Sequence, residues 1–101
     1  MEAYAKIVGT NFKFFIRTFN VTLGRDGVGP EFIDLGDDLS ISRRQAEISW
    51  NGRCFVITNT GKNSIICNRM IVKNGESKEL YDKSPVKIGK SCFYFLLPLE
   101  E

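Results

Sequence analysis

A chain of 101 residues is one domain's worth of polypeptide, enough for a single hydrophobic core and too short for a second domain of ordinary size, so 1–101 is read as one unit. Hydrophobic residues at 43% and charged residues at 26% are ordinary globular usage, which argues against a disordered or low-complexity chain. Lys and Arg number 14 against 12 Asp and Glu, and the resulting net charge of +2 is far short of the excess expected of a dedicated nucleic-acid binder.

From the start of the chain, short apolar segments rich in β-branched and aromatic residues recur, each bounded by Gly, Asn, Asp or Pro. None keeps a helical spacing for long. The expected strands are Ala3–Ile7, Phe12–Arg17, Val21–Gly24, Phe32–Leu35, Gln45–Trp50, Cys54–Thr58, Ser64–Cys67, Met70–Val72, Lys78–Leu80, Val86–Ile88 and Cys92–Leu97. About eleven strands at this spacing predict an all-β sandwich of two sheets. Within Gln45–Trp50 the apolar residues fall on every second position, so one face is buried and the other wet. Asn51-Gly52 follows and predicts a two-residue type I′ hairpin, which needs positive φ at both central positions. Gly89-Lys90-Ser91 is a second expected hairpin link.

Much chemistry is missing. There is no histidine, the commonest general base and zinc ligand, so triads of the usual kind are out and an enzyme is the poorest reading. Gly61-Lys62-Asn63 and Gly89-Lys90-Ser91 mimic the tail of a phosphate-binding P-loop, but the motif's first glycine would fall at Val56 and Ser84. The acidic stretch Glu31, Asp34, Asp37, Asp38 lacks the spacing and closing Glu of a calcium loop and reads as a solvated loop. Cys54, Cys67 and Cys92 match neither a metal pattern nor a disulfide framework and are expected to be buried or half-buried free thiols. No metal or cofactor is expected. The longest apolar run, Phe93 to Leu99, is too short to span a bilayer, and no secretory leader is read at the start; a membrane role is not expected and an intracellular location is. Asn20-Val21-Thr22 is then a chance glycosylation match inside a strand.

What remains is a set of anion-binding residue types at strand ends: Gly24-Arg25, Ser42-Arg43-Arg44 and Gly61-Lys62-Asn63-Ser64. Loops at one end of a sandwich cluster, so three such loops can converge. Arg offers a planar fork of donors to phosphate oxygens, Ser a hydroxyl, and Lys a mobile point charge. Asn both donates and accepts, which suits clamping a peptide backbone.

In these motifs the chain resembles the forkhead-associated (FHA) domain family. That family has a Gly-Arg ending an early strand, a Ser-x-x-His block fifteen to twenty residues on, a Gly-x-Asn-Gly type loop and a later Asn. Here stand Leu23-Gly24-Arg25, Ser42-Arg43-Arg44-Gln45, Gly61-Lys62-Asn63-Ser64 and Cys67-Asn68. The resemblance extends to Tyr4-Ala5-Lys6-Ile7 near the start and to Ile88-Gly89 and Phe93–Pro98 near the end. It is strongest to the FHA domains of fork-head-type transcriptional regulators and related nuclear proteins.

The resemblance implies an FHA-type sandwich with ligand loops at one end, binding phosphothreonine-containing proteins and acting as a non-catalytic signalling module in the nucleus; a monomer is expected. It implies that Arg25 binds the phosphate, Ser42 donates to a phosphate oxygen, Arg43 or Lys62 adds charge at the rim, and Asn63 holds the ligand backbone. Gly24, Gln45 and Asn68 would support the loops. Three positions depart from the family pattern: Gln45 stands for the usual His, Ser64 for Gly and Thr60 for Leu. Two rival readings are a β-domain binding nucleic acid through Arg43, Arg44, Lys62 and Arg69, and a degenerate FHA-like module that docks partners on a sheet face without phosphate.

Overall fold

The computed structural model describes residues 3–98, which form eleven strands and no helix. They are β1 Ala5–Gly9, β2 Lys13–Ile16, β3 Asn20–Gly24, β4 Phe32–Asp34, β5 Ala46–Trp50, β6 Phe55–Asn59, β7 Ile65–Cys67, β8 Met70–Val72, β9 Ser77–Glu79, β10 Ser84–Ile88 and β11 Ser91–Leu96. A six-stranded sheet runs β2-β1-β11-β10-β7-β8 and a five-stranded sheet runs β4-β3-β5-β6-β9. Each expected strand corresponds to one of these, with ends displaced by a few residues; β1 starts two residues later than the apolar pattern suggests.

The alternation read from the sequence builds the core. On β5 the inward residues are Ala46 and Ile48, on β6 Phe55 and Ile57, and on β3 Val21 and Leu23. They meet Ile7 of β1, Val86 and Ile88 of β10, and Phe93 and Phe95 of β11 from the other sheet. Burying each such aliphatic or aromatic side chain stabilises the fold by about 1.5–3 kcal/mol before the entropy of ordering is counted. Ile41 also joins this core from the loop before β5, which anchors that loop to the sandwich.

Both hairpin expectations are informative. The link expected at Gly89-Lys90-Ser91 forms but is one residue shorter, since Ile88 pairs with Ser91 across Gly89-Lys90, and Gly89 has φ 59°. At the other, Trp50 pairs with Phe55 and only Gly52 has positive φ (97°), so the expected type I′ turn at Asn51-Gly52 is not formed. Instead the Asn51 N–H donates to Cys54 O, and Asn51 Oδ1 accepts the N–H groups of Arg53 and Cys54. The side chain thus substitutes for a backbone acceptor and moves the tight turn one residue along. A type I′ pattern appears elsewhere: Asn68 (φ 54°) and Arg69 (φ 66°) join β7 to β8.

All the cysteines are free. Cys67 is buried and Cys54 half-buried, but Cys92 is exposed, against expectation, because it occupies an outward position of β11 opposite Lys87. Burial pushes the Cys67 thiol up to about 11.

Candidate functional site

The loops that follow β3, precede β5 and follow β6 are held together by a continuous set of hydrogen bonds. It begins at Gly24, the last residue of β3. A Cβ at this position would lie 1.9 Å from Arg43 O, so a glycine is what lets the Ser42-Arg43 backbone lie against the strand. Arg25 is then tied to the same loop, its N–H donating to Ser42 O at 3.2 Å and its Nε to Ile41 O at 2.9 Å. The Nε bond fixes the guanidinium plane, while Nη1 stands 3.8 Å from Asp26 Oδ2. Neither Nη group hydrogen-bonds to protein among the described residues, so donors remain for a ligand.

Ser42 is the crossing point. Its N–H donates to Gln45 Oε1 at 2.8 Å, and its Oγ accepts the N–H of Lys62 at 3.0 Å from the loop after β6. With the oxygen engaged as an acceptor, the hydroxyl proton is left to donate. Asn63 bonds back the other way, its Nδ2 donating to Ser40 O at 2.8 Å. Thr60 Oγ1 donates to Arg44 O at 2.9 Å. Arg43, Arg44 and Lys62 are exposed at the rim.

Beneath the loops lies a buried amide pair. Gln45 is 1% exposed; its Oε1 faces Ser42 N–H and its Nε2 donates to Asn59 Oδ1 and to Asn63 O, both at 2.9 Å. Asn59 is fully buried, accepts the Gly61 N–H at Oδ1, and donates through Nδ2 to Asn63 O and Val72 O. Every donor and acceptor of this pair that buried chemistry requires is satisfied, which makes the network a rigid support rather than a liability. Gly61 completes it: a Cβ there would come within 2.3 Å of the Gln45 amide. Asn59 escaped the sequence reading, although one signal was present. It is the third inward position of β6 after Phe55 and Ile57, and a polar residue in that series has to find buried partners.

The structure therefore brings Arg25, Ser42, Lys62 and Asn63 to one end of the sandwich, with Arg43 at its edge. The departures from the family pattern are accommodated. Gln45 both accepts and donates, as a bracing residue at that position must. Ser64 is not in the positive-φ region, so the loop does not need glycine there. Asn68 is a correction: it does not bond the ligand loops. Its Nδ2 donates to Glu79 O and its N–H to Pro85 O, because its left-handed backbone places it in the β7–β8 turn, at the far end of β7 from Asn63. In the acidic stretch, hydrogen bonds from Ser40 N–H and Oγ to Asp38 Oδ1 hold the carboxyl below its usual range. Asp38 Oδ2 is buried without a partner of hydrogen-bonding geometry, although the nearby Lys90 N–H and ammonium also favour its charge. Among the described residues no cluster of His, Cys, Asp and Glu is suited to a metal ion.

The family model of the FHA domain matches residues 21–89, more than half of the chain and all of the loops just described. The chain belongs to the FHA family. Over 98% of its length this FHA domain is 34% identical to the pre-rRNA-processing protein FHL1 of Saccharomyces cerevisiae, of which it covers 11%. It is likewise 34% identical, over its whole length, to the fork-head transcriptional regulator FHL1 of Candida albicans, of which it covers 9%. The chain thus spans about a tenth of the length of these relatives. Among solved structures, the N-terminal FHA domain of S. cerevisiae Rad53p in complex with a phosphothreonine peptide superposes with a TM-score of 0.84 at 11% identity, covering 95% of this chain and 94% of that one. The FHA domain of an Arabidopsis thaliana protein gives 0.81 at 18% identity, covering 99% and 90%. At such identities the likeness establishes the two-sheet fold.

Proposed function

We propose that this FHA domain binds phosphothreonine-containing segments of partner proteins at the loop cluster and performs no reaction on them. The observation that carries the reading is the Ser42–Lys62 bond. It leaves the Ser42 hydroxyl proton free to donate on the loop to which the Arg25 side chain is tied, with the exposed Lys62 on the loop joined to it. A phosphate ester carrying about −1.5 to −2 charges accepts from all three, whereas an unmodified threonine offers no matching acceptor.

The bonds support a role for each residue. Arg25 clamps the phosphate, Ser42 donates to one of its oxygens, and Arg43 and Lys62 raise the local positive potential. Asn63 spends one Nδ2 proton on Ser40 O and keeps Oδ1 and the second proton for the ligand backbone. That the Rad53p domain was solved with a phosphothreonine peptide supports the choice of ligand. Likeness to a pre-rRNA-processing protein and a fork-head transcriptional regulator supports a nuclear role in transcription control, and we read 1–101 as one monomeric module.

Titration calorimetry with phosphothreonine peptides of degenerate flanking sequence, beside the same peptides unphosphorylated, tests the proposal. Micromolar binding, on the order of −8 kcal/mol, is expected for the phosphorylated set alone. Equal affinity for both sets would end it.

A further inference from the structure

The outward face of the six-stranded sheet is a second charged surface, separate from the loop site. Its outward positions follow from the strand register. Lys6 on β1 stands beside Phe15 on β2, Val8 beside Lys13, Tyr94 of β11 beside Val8, and Lys87 of β10 beside Ile66 of β7. Ile66 in turn stands beside Ile71 of β8. No outward position on these strands carries an acid. Lys83 and Arg69 add positive charge from the adjoining turns, and among the described residues lining the two depressions Asp82, beside Lys83, is the acid. None of Lys6, Lys13, Arg17, Arg69, Lys83 and Lys87 is in an ion pair among the described residues, where Arg25–Asp26 and Arg53–Glu79 are the pairs formed.

The same face is apolar between its cations. Phe15 is 42% exposed, Tyr94 55% and Ile71 63%. The Phe15 ring is flanked by Arg17 Cζ at 5.1 Å and Lys13 Nζ at 6.0 Å from its centroid. Two open depressions of about 890 and 800 Å³ mark the surface, and Lys83 lines both. Uncompensated like charge interleaved with exposed large apolar side chains marks an interaction surface.

From this charge complementarity we infer that the face docks an acidic polypeptide segment in which Asp and Glu alternate with large apolar side chains. The alternation is what such a segment would meet, since cations and apolar groups succeed one another along and across the strands. A single strand of nucleic acid fits less well. Base stacking needs aromatic platforms, and most of the apolar positions here are aliphatic: Val8, Ile66, Ile71 and Leu96. The inference does not rest on the phosphate site.

Fluorescence anisotropy on the whole chain tests it. The probes are a labelled peptide alternating Asp and Glu with Phe and Leu, poly-Glu of the same length, and oligo-dT. The alternating peptide is expected to bind saturably, more weakly as salt rises, and roughly tenfold or more tighter than poly-Glu does. The triple variant Lys6→Glu/Lys13→Glu/Lys87→Glu and the variant Phe15→Ser should each lose binding, while Arg25→Ala should bind as the unaltered chain does. Circular dichroism checks that each variant is folded. Undiminished binding in the triple variant, equal binding of poly-Glu, or tighter binding of oligo-dT would overturn the inference. So would concentration-dependent self-association that the triple variant abolishes, since the occupant would then be a second copy of this chain.

Discussion

Ser42 Oγ accepts the backbone N–H of Lys62 at 3.0 Å, joining loops twenty residues apart in the chain. One hydroxyl thereby sets the spacing of the loops and orients its own proton. Ser42→Ala removes both effects. Phosphopeptide affinity is expected to fall by roughly tenfold or more, while folding stability drops by only about 0.5–1.5 kcal/mol, the net worth of one ordinary hydrogen bond. Calorimetry and urea unfolding on the same preparation separate the two.

Gly24→Ala tests the packing of loop on strand. Its φ is ordinary, so the substitution acts through space alone, driving a methyl group into Arg43 O. A loss of about 1–3 kcal/mol in urea unfolding is expected, together with loss of ligand binding, because the carbonyl is main chain and must move the Ser42 loop to make room.

The buried amide pair makes a sharper demand. In Gln45→Glu one oxygen still receives the Ser42 N–H, but the other is turned on Asn59 Oδ1 and Asn63 O. An ionised carboxylate there should cost about 2 kcal/mol or more at neutral pH. Burial among acceptors raises its folded pKa above the unfolded value near 4.3, so the folded state holds the extra proton. Stability is therefore expected to recover as pH falls through the folded value, opposite to the trend of a carboxylate paired with a cation. Asn59→Ala, which orphans the Gly61 N–H and the Val72 carbonyl, should cost about 2–4 kcal/mol at any pH. Denaturant midpoints across a pH series distinguish these behaviours.

The thiols offer an independent check on the core. In the folded protein a thiol reagent should label Cys92 quickly and leave Cys67 untouched until unfolding, since burial has raised Cys67 to about 11 from 9.0. In the unfolded chain Cys67 ionises first. Its contribution to stability is thus complete below pH 9 and is lost as pH rises toward 11.

Strand existence was legible because period-two alternation is a local property: Ala46 and Ile48, or Phe55 and Ile57, declare their faces without knowledge of the rest, although Trp50, next in the β5 series, ends the strand exposed. Loop chemistry was legible only as residue types. That Arg25, Ser42, Lys62 and Asn63 meet depends on contacts across the sheet, such as Gly24 against Arg43, which no local pattern encodes. The hairpin after Trp50 was misplaced because the Asn51 side chain competes with the backbone for the turn. Asn68 was misassigned for a related reason. Its identity suits a left-handed turn as well as a loop brace, and only the strand ends decide between them.

Amide and guanidinium spectra of the labelled domain during addition of a phosphothreonine peptide test most directly whether the loop cluster receives the phosphate. The signals of Arg25 Nε, Ser42, Lys62 and Asn63 should move together, saturate at one equivalent, and stay still with the unphosphorylated peptide. Changes confined to the sheet face around Phe15 and Tyr94, or identical changes with both peptides, would contradict it.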